Sequence, residues 1–127
     1  PQMIASGLND LMAAEHRAVV REGGCIYFRQ GPRQVRLAQR EIYYVESARD
    51  DLIVRLRYER YTIHCTMKHF VECLSAKDFV QVHWSFLVRL DRIASISAAG
   101  LTMDNMAQKI PIGELYHDGL MRRLVRF

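Results

Sequence analysis

From residue 25 onward, apolar and polar residues mostly alternate in short runs separated by turn residues. "CIYFR" and "RQVRL" flank "QGP", a turn by composition. The spacing predicts a hairpin with Val35 and Leu37 facing inward and Gln34 and Arg36 outward. "EIYYVES" continues as a strand. In "LIVRLR" Leu52, Val54 and Leu56 share a side opposite Arg55 and Arg57, and in "YTIHC" Tyr61, Ile63 and Cys65 alternate with Thr62 and His64. About five strands are expected by Cys65. After the opening strands of the next block come "RIASIS", "GLTM" and "AQKIPI", the last two joined by "DN" as a hairpin turn.

Helical spacing interrupts this texture. Over residues 4–20, Ile4, Leu8, Leu11, Met12 and Val19 predict an amphipathic helix that "REGG" breaks. "TMKHFVECLSAKD" predicts a short internal helix capped by Thr66, with Met67, Phe70, Val71 and Leu74 in one stripe. Tyr116, Leu120, Leu124 and Phe127 mark a closing helix, slightly weakened by Gly119. Many short strands with one interrupting helix imply a mostly β, antiparallel architecture rather than alternating βαβ units.

One stretch admits two readings. In "VQVHWSFLVRL" the even positions are Val80, Val82, Trp84, Phe86, Val88 and Leu90, so a single straight strand buries the Trp84 indole with Val82 and Phe86. If two strands meet at a corner instead, "HWS" becomes a tip that presents His83, Trp84 and Ser85 to a partner.

With 127 residues, half of them hydrophobic and a quarter charged, the chain fits one globular domain. The net charge of +4 admits an anionic partner without demanding one. Of eighteen basic residues only Lys68, Lys77 and Lys109 are lysines; the rest are arginines, suited to bidentate phosphate and guanine contacts, although a GC-rich genome produces the same bias. Residues 21–60 hold nine arginines against six acids, a moderately basic segment. Three cysteines without C-x-x-C spacing argue against a disulfide framework or zinc ribbon and fit a reducing cytoplasm. No apolar run approaches the ~20 residues of a membrane span, and the start on Pro1 reads as a fragment of a longer protein.

No phosphate loop, nucleophile elbow, H-E-x-x-H or dinucleotide fingerprint occurs, so no enzyme and no cofactor is expected. "HCTMKHFVEC" gathers His64, Cys65, His69 and Cys73, a thiol or metal sensor in outline. His64 and Cys65 point to opposite faces of a strand, however, so the four converge only if the strand ends before them. No metal site is assigned. A β-rich basic domain without catalytic motifs reads as a binding module, with "SARDD", "HWS" and "IPIGEL" as the loops that reach outward.

At these loops "EIYYVESARDDLIVRL", "FVQVHWSFLVRLDRI" and "KIPIGELYHDGL" resemble, in order, the LytTR DNA-binding domain of LytR/AlgR-type transcription regulators, over about residues 25–124. The resemblance implies an elongated fold of antiparallel sheets, C-terminal to a sensor or receiver domain. It also implies binding to direct repeats in promoter DNA through loops inserted in the grooves. Residues 1–22 then form a linker helix from that absent domain, and residues 23–127 the DNA-binding domain. The expected partners are double-stranded DNA, the sensor or receiver domain, and a second copy on the repeated sites, in the cytoplasm with no membrane contact.

By position the resemblance assigns DNA contact to Arg49 with Asp50, to His83, Trp84 and Ser85, and to residues 113–117, including Glu114 and His117. Arg89 and Lys109 are added as basic candidates. The sequence departs from the family at the tips. Trp84 stands where Arg or another polar residue is usual, Arg89 where Asn is common, and Glu114 in an Arg-like place. Trp cannot make the bidentate guanine contact of Arg. A second reading is therefore a protein-interaction module on the same fold, with Trp84 and Glu114 marking a changed surface.

Overall fold

The computed structural model describes residues 19–124. Eleven strands and two α-helices lie within them: β1 (Val19–Glu22), β2 (Cys25–Gln30), β3 (Arg33–Ala38), β4 (Tyr44–Ala48), β5 (Asp51–Arg55), β6 (Arg60–Ile63), α1 (Met67–Cys73), β7 (Phe79–His83), β8 (Phe86–Arg89), β9 (Ile93–Ser97), β10 (Gly100–Met103), β11 (Lys109–Ile110) and α2 (Glu114–Leu124). The strands form three antiparallel sheets: β1-β2-β3, then β6-β5-β4-β8-β7, then β11-β10-β9. This is the mostly β architecture that the alternation predicts.

The five-stranded sheet is the middle layer, and each of its faces has its own core. On one face Val45, Val54 and Leu87 pack with Ile26, Phe28 and Leu37 of the first sheet, with Phe70 of α1 and with Leu74 just after it. On the other, Tyr44, Val82, Phe86 and Val88 pack with Leu101, Met103 and Ile110 of the third sheet and with Leu120 of α2. Burial on both faces explains Leu87: an odd-numbered position in the alternation is as buried as its even neighbours. Burial also pushes the Tyr44 hydroxyl up in pKa, partly offset by Arg55, and that hydroxyl donates to Gln108 Oε1 at 2.7 Å.

Local chemistry matches the elements. Thr66 caps α1 by accepting from His69 N. The β2–β3 turn falls at Gly31, whose φ of 58° needs no Cβ-bearing residue to strain. Arg123 holds α2 down by donating to the carbonyls of Ala76 and Lys77, both at 2.8 Å.

The helix expected over residues 4–20 lies outside the described residues except at its end. There Val19 and Val20 belong to β1, paired with Phe28 and Tyr27. "REGG" is accordingly part of a hairpin, with Gly23 at φ 61° in its turn. Helical spacing of Val19 misled because a single buried residue satisfies either period, and cross-strand pairing with β2 decided the matter.

Candidate nucleic-acid interface

β7 and β8 are two strands joined at Trp84 and Ser85, with a register shift between Gln81 and His83. The shift releases Trp84 from the alternation, and its side chain is 68% exposed while Val82 and Phe86 stay buried. The single-strand reading of "VQVHWSFLVRL" therefore fails at the indole.

Hydrogen bonds inside the corner fix its shape. Gln81 Nε2 donates to the carbonyls of His83 at 3.1 Å and Trp84 at 3.2 Å. Ser85 N donates to His83 Nδ1 at 3.2 Å, with Ser85 Oγ 3.0 Å from the same nitrogen. A backbone N–H can only donate, so Nδ1 is the acceptor and the neutral ring carries its proton on Nε2. Ser85 is only 8% exposed. It does not project as the sequence suggests; it orients His83. The His83 ring lies 5.8 Å from the indole and 5.8 Å from Phe86, so it is braced between the two.

Two further loops meet this corner. Ser47 N donates to Ser85 O at 2.9 Å, which sets the β4–β5 turn beside it. That turn is Arg49 and Asp50, because Ala48 pairs with Asp51. Arg49 is held at φ 59°, a left-handed conformation costly for a residue with a Cβ. On the other side Gly113 N donates to Val82 O at 2.8 Å. A Cβ on Gly113 would stand 3.1 Å from the Tyr116 ring and 3.6 Å from that of His83. The small residue lets the start of α2 sit against the corner, and Glu114, Leu115 and His117 follow it as exposed residues.

Between the β4–β5 turn and α1 lies an open groove of about 840 Å³, lined by Trp84, Arg49, Asp51, His64, Met67 and His69 among others. Among the described residues lining it, Arg49 is the sole Arg or Lys, set against Asp50 and Asp51. His64 Nδ1 lies 3.2 Å from Asp51 Oδ1.

Arg89 and Lys109 lie elsewhere. Arg89 pairs in register with Phe79 at the far end of the β7–β8 hairpin. Its guanidinium, 12% exposed, is engaged by Asp91 at 2.7 Å and Gln39 O at 3.0 Å and lies over the Phe79 ring. As a candidate for DNA contact Arg89 is therefore misplaced: it lies away from the Trp84 tip, and Asp91, two residues on, captures its charge. Lys109 is exposed on β11 next to Gln108, whose bond to Tyr44 marks that same distant end. His117 is 56% exposed and lies 3.5 Å from Asp118.

The His/Cys group does not converge. His64 faces Asp51, whereas His69 Nε2 and Cys73 Sγ both contact Val19 O, at 3.0 and 3.5 Å. Among the described residues no group of three or more His, Cys, Asp or Glu is arranged to hold a metal ion. The Cys65 thiol is pushed up to about 11, by burial first and by Cys73 second. No described helix is long and apolar enough to cross a membrane.

Sequence reasoning missed the bracing roles of Gln81 and Ser47, which leave no signal in the pattern. Leu115, within the stretch 113–117 that the resemblance marks and off the Tyr116–Leu120–Leu124 spacing, is 95% exposed.

Residues 33–124 match the family model of the LytTr DNA-binding domain. In structure the chain is similar to the LytTr DNA-binding domain of a protein described as a methyl-accepting/DNA response regulator from Bacillus cereus. The TM-score is 0.69 at 18% identity, covering 81% of this chain and 98% of that one. No curated protein matches the sequence.

Proposed function

Because the chain belongs to the LytTr DNA-binding domain family, we propose that it is the sequence-specific DNA-binding output domain of a transcription regulator and binds direct repeats in promoter DNA. The observation that carries this reading is the convergence of three loops on one edge: Arg49 with Asp50, His83 with Trp84, and the start of α2 at Gly113 and Glu114. Polar tips on a rigid sheet can enter neighbouring grooves, where side chains read base edges and arginine holds phosphate.

Each residue has a role in this scheme. Arg49 contacts phosphate, and the Nε2–H of His83 donates to a base-edge acceptor. Trp84 lies against a thymine methyl or wedges at a base step, reading deformability in place of the hydrogen-bond pattern an arginine reads. Glu114 and Asp50 accept from a cytosine amine, and His117 extends the contact along α2. Ser85 acts through His83. Arg89 and Lys109 take no part. The absent sensor or receiver domain controls pairing of two copies on the repeats.

A second reading is favoured by one observation. Among the described residues lining the groove beside the exposed Trp84, Arg49 is the sole Arg or Lys, set against Asp50 and Asp51, as suits a protein-interaction module. A gel shift with a promoter fragment against random duplex at low salt separates the two: preference for the promoter supports DNA readout, and equal weak binding to both discards it.

A further inference from the structure

The end of the central sheet opposite these loops is built differently. β5 and β6 are joined by residues 56–59, closed by Leu56 N donating to Glu59 O at 2.8 Å and anchored by the buried Leu56. The loop holds Arg57 and Tyr58 outward, with Tyr58 85% exposed and the Arg57 guanidinium 5.1 Å from its ring centre. Beside it a groove of about 410 Å³ is lined by Arg40, Tyr43, Arg57, Tyr58, Arg89 and Arg92. Arg92 lies over the buried Tyr43 ring at 5.0 Å, and its Nε is buried without a hydrogen-bond partner. A second groove, of about 440 Å³, flanks the other side of the loop and is lined by Arg55 and Arg60. Arg55 Nε is likewise without a partner.

Charge at this end is unbalanced. Arg55 is paired with Glu46 and Arg89 with Asp91, but Arg40, Arg57, Arg60 and Arg92 are in no ion pair among the described residues. Glu41 and Glu59 are the acids lining the two grooves, Asp91 is already engaged by Arg89, and Asp104 meets Arg92 through its backbone N–H, which donates to Arg92 O. A guanidinium stacked on a ring keeps its N–H edge free for a carboxylate, and arginine with tyrosine is the composition of interface hot spots.

We propose that this arginine–tyrosine face docks an acidic segment of a partner protein, its carboxylates on Arg40, Arg57 and Arg92 and an apolar side chain on Tyr58. DNA seated on the three loops does not reach it: strands of four to five residues separate the two ends by roughly 15 Å. The domain is then two-ended, with one end for the duplex and the other for protein.

The test is an amide NMR titration of the chain with a capped dodecapeptide of glutamates with leucine at every fourth position, and with its lysine-for-glutamate counterpart. Saturable shifts are expected at residues 40–43, 57–60 and 92 with the acidic peptide and not with the basic one. In the double variant Arg40→Glu with Arg57→Glu, both exposed positions, affinity for the peptide falls about tenfold or more while duplex affinity stays within about twofold. Shifts centred on residues 49–50, 83–85 and 113–117, no saturable shift, or peptide binding that survives the double variant each overturn the proposal. So does a duplex titration that moves residues 57–60, which makes the face a phosphate contact. Failure of DNA binding with peptide binding intact removes the DNA reading alone.

Discussion

Replacing Trp84 by alanine isolates the part of the corner that faces outward. The side chain is 68% exposed and, in the hydrogen-bond network, only its backbone carbonyl is engaged, by Gln81. Truncation removes the indole from one side of the His83 ring and little other packing, so the urea midpoint should move by the equivalent of about 0.5 kcal/mol or less. Binding is another matter. A large aromatic side chain buries up to about 250 Å², so the exposed part offers roughly 170 Å² to a duplex, an upper bound of about 4 kcal/mol at ~25 cal/mol per Å². Alanine substitution at base-stacking aromatics costs about 1–3 kcal/mol, the better guide where the contact is partial. Trp84→Ala should therefore weaken specific duplex binding by about 5- to 150-fold in a fluorescence-anisotropy titration at fixed salt. Trp84 is the chain's only tryptophan, so the wild-type emission should also be that of a solvated indole and should shift on adding DNA. Unchanged affinity in the variant, with a folded circular-dichroism spectrum, refutes the placement of the indole against DNA.

Other expectations follow from the same geometry. Arg49→Gly relieves a left-handed arginine but adds chain entropy, two effects that nearly cancel in stability, while the log–log salt slope of DNA binding should fall by about 0.9 if Arg49 neutralises one phosphate. Gln81→Ala removes the amide that donates to His83 O and Trp84 O; thermal melts should show a loss of about 1 kcal/mol, with a larger proportional loss in duplex affinity as the corner loosens. Gly100→Ala, at φ 133° and with the added Cβ 2.5 Å from Ile110 O, should cost about 2–4 kcal/mol in urea unfolding by parting β10 from β11. Cys65, raised from 9.0 to about 11, is held as the thiol in the fold, so its contribution to stability is complete below pH 9 and is lost as pH rises toward 11. A thiol reagent at pH 8 should thus label Cys65 about 100-fold more slowly in the native chain than in urea, with half-buried Cys25 reacting first.

Legibility in the sequence differed by element for physical reasons. β2, β3 and β5 were readable because one face of each is buried and the other wetter, so period two shows in the residues. α1 was readable from its stripe and its Thr66 cap. Alternation alone misplaces Trp84, because a register shift costs one residue and leaves no trace in composition; only the resemblance of "HWS" to a known motif favoured a corner. Ser85 and Arg89 look alike in sequence as free polar groups, yet one is turned inward by His83 and the other captured by Asp91. Such partners are set by turns a residue or two long, below the resolution of any periodicity.

The middle strand of the five, β4, is paired to β5 on one side and β8 on the other, and both of its faces are roofed by separate apolar clusters. Peeling away either outer sheet would wet one side of the same strand, so neither half can open at low cost while the other persists. The molecule should come apart as one cooperative unit, and the amides of residues 44–48 should exchange with deuterium only through complete unfolding. A stiff spine of this kind would let the loops at one edge be held in fixed relative positions without a ligand to order them.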